Sequence, residues 1–502
     1  MAVSDKKAKN KKIVLYDGLC TMCKGVADTI GNSSRGSVFA TTDITNAKLP
    51  NHLTKEAVQR EIHVIDNGKV YKNIDAIFKI LEEYPSLAPV VRVGGVPGIR
   101  QFLRLVYRFV AAHRHIMFGP MARMFWLKVV VICSLLVGVL LSLPLWLSGR
   151  NYPLIPVMRT FPTIGHPYDL YILIILMVSL VGVLIRSQPR IIALCCVTIF
   201  GLLVLFDQSR LQPWVLQYVA MLAVVGLFSW VSNSYGIQRA LNTERLIVVG
   251  TYFYSGLHKV NANFILHTFP WMLEPVTHYF SSETGIILAR SIAVAIPFLE
   301  IGIACGLLSK KFRKQAIVVA IMMHLCILGL VGPLGSDWNS VIWPWNVAMI
   351  LFDIILFWGD KTTQVYSILW SRKPSYQTAI LVFFCILPAL SFIGKWDSYL
   401  SSALYSGDIA TAGIVIPDRE VYKLPKGARP YVQKGATYLD SIDIMQWSFG
   451  ELNVPAYPEP RIYMAIGRTV CGLIPDSLLI VVSRPSISGK STNSVYTCSM
   501  LR

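Results

Sequence analysis

The sequence predicts an α-helical polytopic membrane protein of about nine spans, carrying an N-terminal α/β domain and a small C-terminal extramembrane domain. Three observations predict it. Apolar runs follow one another almost without pause from Trp126 to Lys395. A strand, a Cys-x-x-Cys pair and a helix-forming stretch open the chain. After residue 400 the pattern changes to short β-prone segments broken by prolines. Composition agrees, with 54% hydrophobic residues in 502 and a mean hydropathy of +0.52, values that belong with membrane proteins.

A helix needs about 20 apolar residues to cross a bilayer, and somewhat fewer at the minimum. Runs that meet or approach this lie at 126–147, 168–185, 191–206, 214–230, 247–258, 286–308, 316–332, 341–358 and 378–394. The fifth is the shortest and most polar. A single soluble helical core seldom supports so much apolar sequence. The formal charge of +19 fits basic residues retained beside cytoplasmic helix ends, and with no groove motif in the chain it gives no reason to expect nucleic acid. With the N-terminus inside, the inner loops hold eleven basic residues, from Arg186 to Lys373. The outer loops hold four: Arg150, Arg159, Arg210 and Lys259. The chain is expected in the cell inner (cytoplasmic) membrane, and that bias puts the N-terminus in the cytoplasm and, for nine spans, the C-terminus outside. The stretch before Trp126 has no apolar signal core, which also keeps it cytoplasmic.

Residues 1–11 form a basic tail, and residues 12–120 read as one domain. KKIVLYDGLCTMCKGVADTI gives a buried strand over 13–16, a glycine-containing turn and a helix opening near Cys20–Cys23. At a helix start the first sulfur meets unpaired backbone N–H groups, which favour the thiolate. Cys20 is then the nucleophile and Cys23 the thiol that resolves a mixed disulfide. Half a zinc site and two inert cysteines are the other readings. Zinc wants four ligands, and His52 and His63 are poorly spaced to supply them. EIHVIDNGKVYKNIDAIFKILEEYP adds a strand, an Asp-Asn-Gly turn, a second strand and an amphipathic helix. Together these elements suit a small thioredoxin-like domain. Asp17, Cys20 and Cys23 within VLYDGLCTMC resemble the DCC family of thiol-disulfide oxidoreductases, named for Asp-x-x-Cys-x-x-Cys, and the resemblance runs through IDAIFKIL to VYRFVAAHRHIMFG. It implies a redox-active pair served by a thiol reductant or protein dithiol on the cytoplasmic side. Pro97 in GGVPGI reads either as the cis proline facing such a pair or as a turn residue.

Residues 125–400 form the transmembrane domain. Asp207 and Arg210 read as the cap of a tight interfacial turn. The sharpest stretch is TYFYSGLHKVNANFI (251–265), where His258 and Lys259 sit in surroundings that a purely structural span avoids. Proton chemistry and a buried ion pair both account for Lys259, and so does a lysine that snorkels to the headgroups. Tyr252 and Tyr254 add hydroxyls, and Gly256 permits close helix approach. The stretch resembles the aromatic–Gly–hydrophobic–x–Lys segment of vitamin K-dependent gamma-carboxylases and their HTTM relatives. That resemblance implies a quinone or hydroquinone ligand, Lys259 as base, and His324 in IMMHLCILGL as its partner, with His258 and Tyr254 as candidate contacts to the cofactor. The extended luminal region of gamma-carboxylases is much reduced here. Glu300 and Asp353 are carboxylates in apolar runs, open to ion pairing, proton relay or helix packing.

Residues 401–502 read as a loosely organised extramembrane region in which Cys471 and Cys498 could pair if exported. The six cysteines between 133 and 385 read as small packing residues. No metal site is expected, and no phosphate loop, nucleophile elbow or metalloprotease motif occurs. The reading that follows is a membrane-bound thiol-disulfide oxidoreductase whose head works beside quinone- or lipid-linked chemistry in the spans. A gamma-carboxylase-like enzyme using Lys259, and a non-catalytic receptor, maturation or immunity factor, are the alternatives.

Overall fold

The computed structural model describes residues 12–16, 21–32, 38–44, 53–54, 58, 61–101, 103–104, 107, 120–186, 188–228, 234–360, 363–370, 376–435, 438–482 and 490–501. The chain divides into two units, Met1–Trp126 and Leu127–Arg502.

In the first unit, β1 (Lys12–Tyr16) is the apolar strand KIVLY. It leads through α1 (Thr21–Asn32) to β2 (Phe39–Asp43). β1 and β2 are parallel, with Ile13 opposite Ala40, a pairing that requires the crossover α1 supplies. β3 (His63–Asp66) and β4 (Lys69–Lys72) form a hairpin. Its turn residues Asn67 and Gly68 both have positive φ (48° and 78°), which is why the Asn-Gly pair of the sequence marks the turn. The sheet order is β2-β1-β3-β4, mixed in direction. α2 (Ile74–Leu81) follows, with the Asn73 side chain accepting from the Ile74 N–H at 2.7 Å. Val14, Ile30, Phe39, Val64, Ala76 and Ile80 make one core, and Leu15, Ile44 and Val58 pack together in another.

Among the described residues, five helices are long and apolar enough to cross a membrane, the first of them beginning seven residues before the second unit. They are α3 (Pro120–Leu141), α4 (Tyr168–Ile185), α8 (Ser282–Leu308), α9 (Arg313–Val331) and the segment 376–393 that begins as α11 (Tyr376–Leu381). Three shorter apolar helices are α5 (Arg190–Phe206), α6 (Pro213–Leu227) and α10 (Ile342–Phe357). α7 (Ser234–His258) has 25 residues. Its first half carries Arg239, Glu244 and Arg245, and the short fifth apolar run is its second half.

Polar contacts join the helix ends in two sets. In one, Lys128 donates to the carbonyls of Leu184 and Arg186, Arg245 bonds Asp360 at 2.7 Å, Asn242 donates to the Ser367 carbonyl, and Arg313 to that of Thr363. In the other, Arg150 bonds Asp207 at 2.6 Å, Gln208 reaches Asp397, Asn261 donates to the Ser406 carbonyl, and Asn453 donates to the Leu141 carbonyl and to Ser340. Along the chain the two sets alternate from each helical segment to the next. Asp207 also caps the Ser209 N–H, and Arg210 is spent on the carbonyls of Leu145, Trp146 and Leu203. The pair is therefore part of the scaffold.

The C-terminal residues belong to this second unit and are better ordered than the proline-rich sequence suggests. β5 (Thr411–Pro417), β6 (Val432–Gln433), β7 (Leu439–Asp443), β8 (Leu478–Val482) and β9 (Asn493–Thr497) form an antiparallel sheet in the order β6-β7-β5-β8-β9. α12 (Ile444–Leu452) and α13 (Pro460–Leu473) pack beside it. Ala412, Ile414 and Ile416 alternate inward along β5, and Trp447, Tyr457 and Tyr463 are fully buried. Pro460 sits at the first helical position of α13, where proline is tolerated, so it starts structure instead of breaking it. Cys471 and Cys498 are joined in a disulfide.

Candidate functional site

In the first unit, β1 ends at Tyr16 and α1 begins at Thr21, which places Cys23 in the first turn of that helix, partly buried. Asp17, Cys20 and His52 lie outside the described residues. His63 is buried in β3 with Nδ1 2.9 Å from the Glu61 carbonyl, a structural position. Among the described residues, no cluster of three His, Cys, Asp or Glu side chains is placed to hold a metal. Pro97 is exposed and opens a helical turn, and the cis peptide bond among the described residues precedes Pro167.

The second unit contains a cavity of about 820 Å³, within the range of small-molecule sites. Its walls are largely apolar, with Phe269, Leu273, Ile296, Met322 and Leu330 among them, and one side is polar. Lys259 follows the last residue of α7 and is 8% exposed. Its Nζ donates to Glu300 Oε2 on α8 at 3.0 Å, to Ser255 Oγ at 2.6 Å and to the Ser255 carbonyl at 3.2 Å. All three hydrogens of an ammonium thus meet acceptors. Gly256 makes this pairing geometrically possible. A Cβ there would stand 2.8 Å from the Pro297 carbonyl oxygen and 2.9 Å from Glu300 Cβ, so glycine lets α7 and α8 touch.

His324, buried on α9, shares the wall with Lys259. Its Nε2 is 2.6 Å from the Tyr252 hydroxyl and its Nδ1 is 2.7 Å from Asn346 Oδ1. The Tyr252 hydroxyl also lies 2.7 Å from Oδ2 of Asp353 on α10, behind the wall. Tyr252, Ser255 and Lys259 follow the i, i+3, i+7 spacing of one helix face, a signal already present in the sequence. Trp345 and Asn346 reach the wall from the start of α10, and Ser402, Leu404 and Tyr405 from the segment after the last span.

Two expected cofactor contacts are placed elsewhere. Tyr254 points off the opposite face and donates to the Cys385 carbonyl at 2.8 Å. His258 stacks on Phe392, with Nδ1 2.9 Å from Asp408 Oδ2 and Nε2 3.2 Å from Ser391 Oγ. Neither lines the cavity. Helical rotation is the reason: one and five residues before Lys259 fall on other faces of the turn. The Ser391–His258–Asp408 order matches a hydrolytic triad, yet the Ser391 hydroxyl donates to the Pro388 carbonyl at 2.6 Å and all three groups are buried. They fasten residues 391–408 to the end of α7.

No curated protein and no solved structure matches the chain. Residues 14–120, a range that takes in Asp17, Cys20 and Cys23, match the family of DCC1-like thiol-disulfide oxidoreductases.

Proposed function

We propose that the protein is a membrane-bound thiol-disulfide oxidoreductase whose Cys20–Cys23 pair works on the cytoplasmic side of the inner membrane. The family match over residues 14–120 carries this reading, and Cys23 in the first turn of α1 supports it. The Cys20 thiolate attacks a target disulfide, forming an S–S bond to one target sulfur and releasing the other as a thiolate. Cys23, deprotonated, then attacks the Cys20 sulfur, releasing the second target thiolate and leaving the Cys20–Cys23 disulfide. The target gains two electrons and the pair loses two, to be restored by a cytoplasmic thiol reductant or protein dithiol. Cys23→Ser should accumulate a mixed disulfide through Cys20, visible on non-reducing gels. Undiminished thiol exchange in the Cys20→Ser, Cys23→Ser double variant rules the reading out.

A second reading concerns the membrane cavity, and Lys259 in its wall favours it: the spans hold a ligand site of their own. An apolar body with one polar wall suits a quinone, a hydroquinone or a lipid tail and headgroup. A quinone, when bound, supplies two-electron redox chemistry, with Lys259, Tyr252 and His324 as the polar residues beside its oxygens. For Lys259 to act as a base, it first gives its proton to Glu300, after which the neutral amine accepts one from the ligand. The net transfer is from ligand to Glu300. Lys259→Ala should abolish saturable binding or turnover of a short-chain quinol in nanodiscs, and unchanged behaviour excludes the site.

A further inference from the structure

Asn346 fixes a proton inventory in the cavity wall. Its Nδ2 is 2.8 Å from the Ile342 carbonyl oxygen, an atom that only accepts, so the amide nitrogen must face it. Oδ1 therefore faces His324 Nδ1, 2.7 Å away, and Nδ1 carries a hydrogen. That leaves His324 Nε2 as a lone pair in the neutral ring or as a second N–H in the cation. The Tyr252 hydroxyl bridges Nε2 and Asp353 Oδ2 at 2.6 and 2.7 Å with a single hydrogen of its own.

If Asp353 is ionised and His324 neutral, two acceptors face one hydroxyl hydrogen, and one short contact sets lone pair against lone pair. If both are protonated, both donate to the Tyr252 oxygen and its own hydrogen has no acceptor in these contacts. With one added proton every contact is a hydrogen bond. Either Asp353 donates to Tyr252 and Tyr252 to Nε2, or Nε2–H donates to Tyr252 and Tyr252 to the carboxylate. The charged side chains that share this wall, Lys259 and Glu300, pair with each other at 3.0 Å.

We propose that Asp353, Tyr252 and His324 form a one-proton store that protonates an apolar ligand bearing an oxyanion, such as a phenolate, in the membrane cavity. This rests on the reading of that cavity as a ligand site. Tyr252 and His324 line the cavity, and Asp353 is wholly buried behind it. Tyr252 gives its hydrogen to the ligand oxygen and takes the Asp353 proton. The carboxylate that remains accepts the renewed Tyr252 O–H, which leaves the Nε2 lone pair against the Tyr252 oxygen, the arrangement that draws a proton back into the store. One O–H bond forms on the ligand, one breaks on Asp353, and no electrons change owner.

The test uses the full-length protein in nanodiscs. Infrared difference spectra against Asp353→Asn and His324→Gln count protons on the two groups, as a carboxylic C=O band and an imidazolium band. The expected sum near neutral pH is one per molecule, constant with pH, and a sum of zero or two overturns the proposal. Tyr252→Phe keeps the ring and cuts the bridge, so the sum should then vary with pH, and an unchanged sum overturns it too. The probe is a 4-alkyl-2-nitrophenol, whose anion absorbs well to the red of the neutral phenol, so that loss of the anion band is the bleaching read. Its arrival in the cavity is read by quenching of Trp345, using Trp345→Phe as the blank. Quenching with one equivalent of bleaching, absent in Tyr252→Phe, is expected. Quenching without bleaching overturns the store, whereas no quenching overturns the cavity reading on which it rests.

Discussion

Removing Glu300 leaves Lys259 as an enclosed cation whose remaining acceptors both belong to Ser255. Breaking a buried pair on one side costs about 3–5 kcal/mol, while replacing both partners by apolar residues is often neutral. Glu300→Leu should therefore lower thermal stability in detergent sharply, and Lys259→Met with Glu300→Leu should recover most of it. Equal losses in single and double variants would show that the pair is not an energetic unit. Asp75 in the head makes a different case. Burial raises its carboxyl, but hydrogen bonds and charge from Arg100 (2.6 Å) and Arg104 (3.1 Å) outweigh it and hold the carboxyl below its usual range. With the folded value below the unfolded one of about 3.9, the contribution is present above that pH and lost as pH falls through the folded value. Asp75→Asn should speed hydrogen exchange of α2 amides at neutral pH and match the wild type in acid. Lys259 was legible in the sequence because a cation in an apolar run is conspicuous. Tyr252 was less so, since the aromatic cluster offered Tyr254 equally, and only helical phase tells them apart.

At the scale of elements, α7 is the helix against which the second unit is assembled, and two glycines allow it. A Cβ at Gly250 would meet the Phe384 carbonyl oxygen at 2.7 Å, and one at Gly256 would meet that of Pro297 at 2.8 Å. Gly256→Val forces α7 from α8 and draws Lys259 away from Glu300. Overpacking of this kind costs about 1–3 kcal/mol, read as a lowered unfolding temperature, and adding Glu300→Leu should then cost far less than it does in the wild type. Full, undiminished cost of Glu300→Leu in that background would place the contact outside the coupling. The apolar runs of the sequence located the helices because length and hydropathy are local properties. The polar first half of α7 was hidden for the same reason: Arg245 and Asn242 are accommodated by Asp360 and Ser367, more than a hundred residues away. The tail sheet was illegible on the same grounds, since β5 pairs with β7 and β8 across long intervals that no local period reveals.

For the whole molecule, the proposed cytoplasmic head and outer tail require an odd number of passes, and the nine apolar runs of the sequence are such a number. The division of basic loop residues is the sequence argument for that orientation. Of the four basic residues assigned to outer loops, Arg150 and Arg210 are consumed by Asp207 and backbone carbonyls, and Lys259 by Glu300. Pairing does not separate the sides, since Arg245 and Arg313 of the inner loops are likewise taken up by Asp360 and backbone carbonyls, and the bias rests on where the basic residues fall in the sequence. A disulfide such as Cys471–Cys498 is usual in an oxidising compartment, and the proposed reducing Cys20–Cys23 pair would work on the other side. Closing the interval of 27 residues stabilises the tail by about 3.6 kcal/mol in the chain-entropy account. Cys471→Ser with Cys498→Ser should accordingly loosen β8, β9 and α13 to hydrogen exchange while leaving α7 and α8 protected. In intact cells, an impermeant maleimide should label Pro430→Cys at once and should reach Cys20 and Cys23 only after the membrane is opened. Labelling of both positions from the same side would remove a pass from the count, place head and disulfide in one compartment, and turn the proposed reductase chemistry towards oxidation.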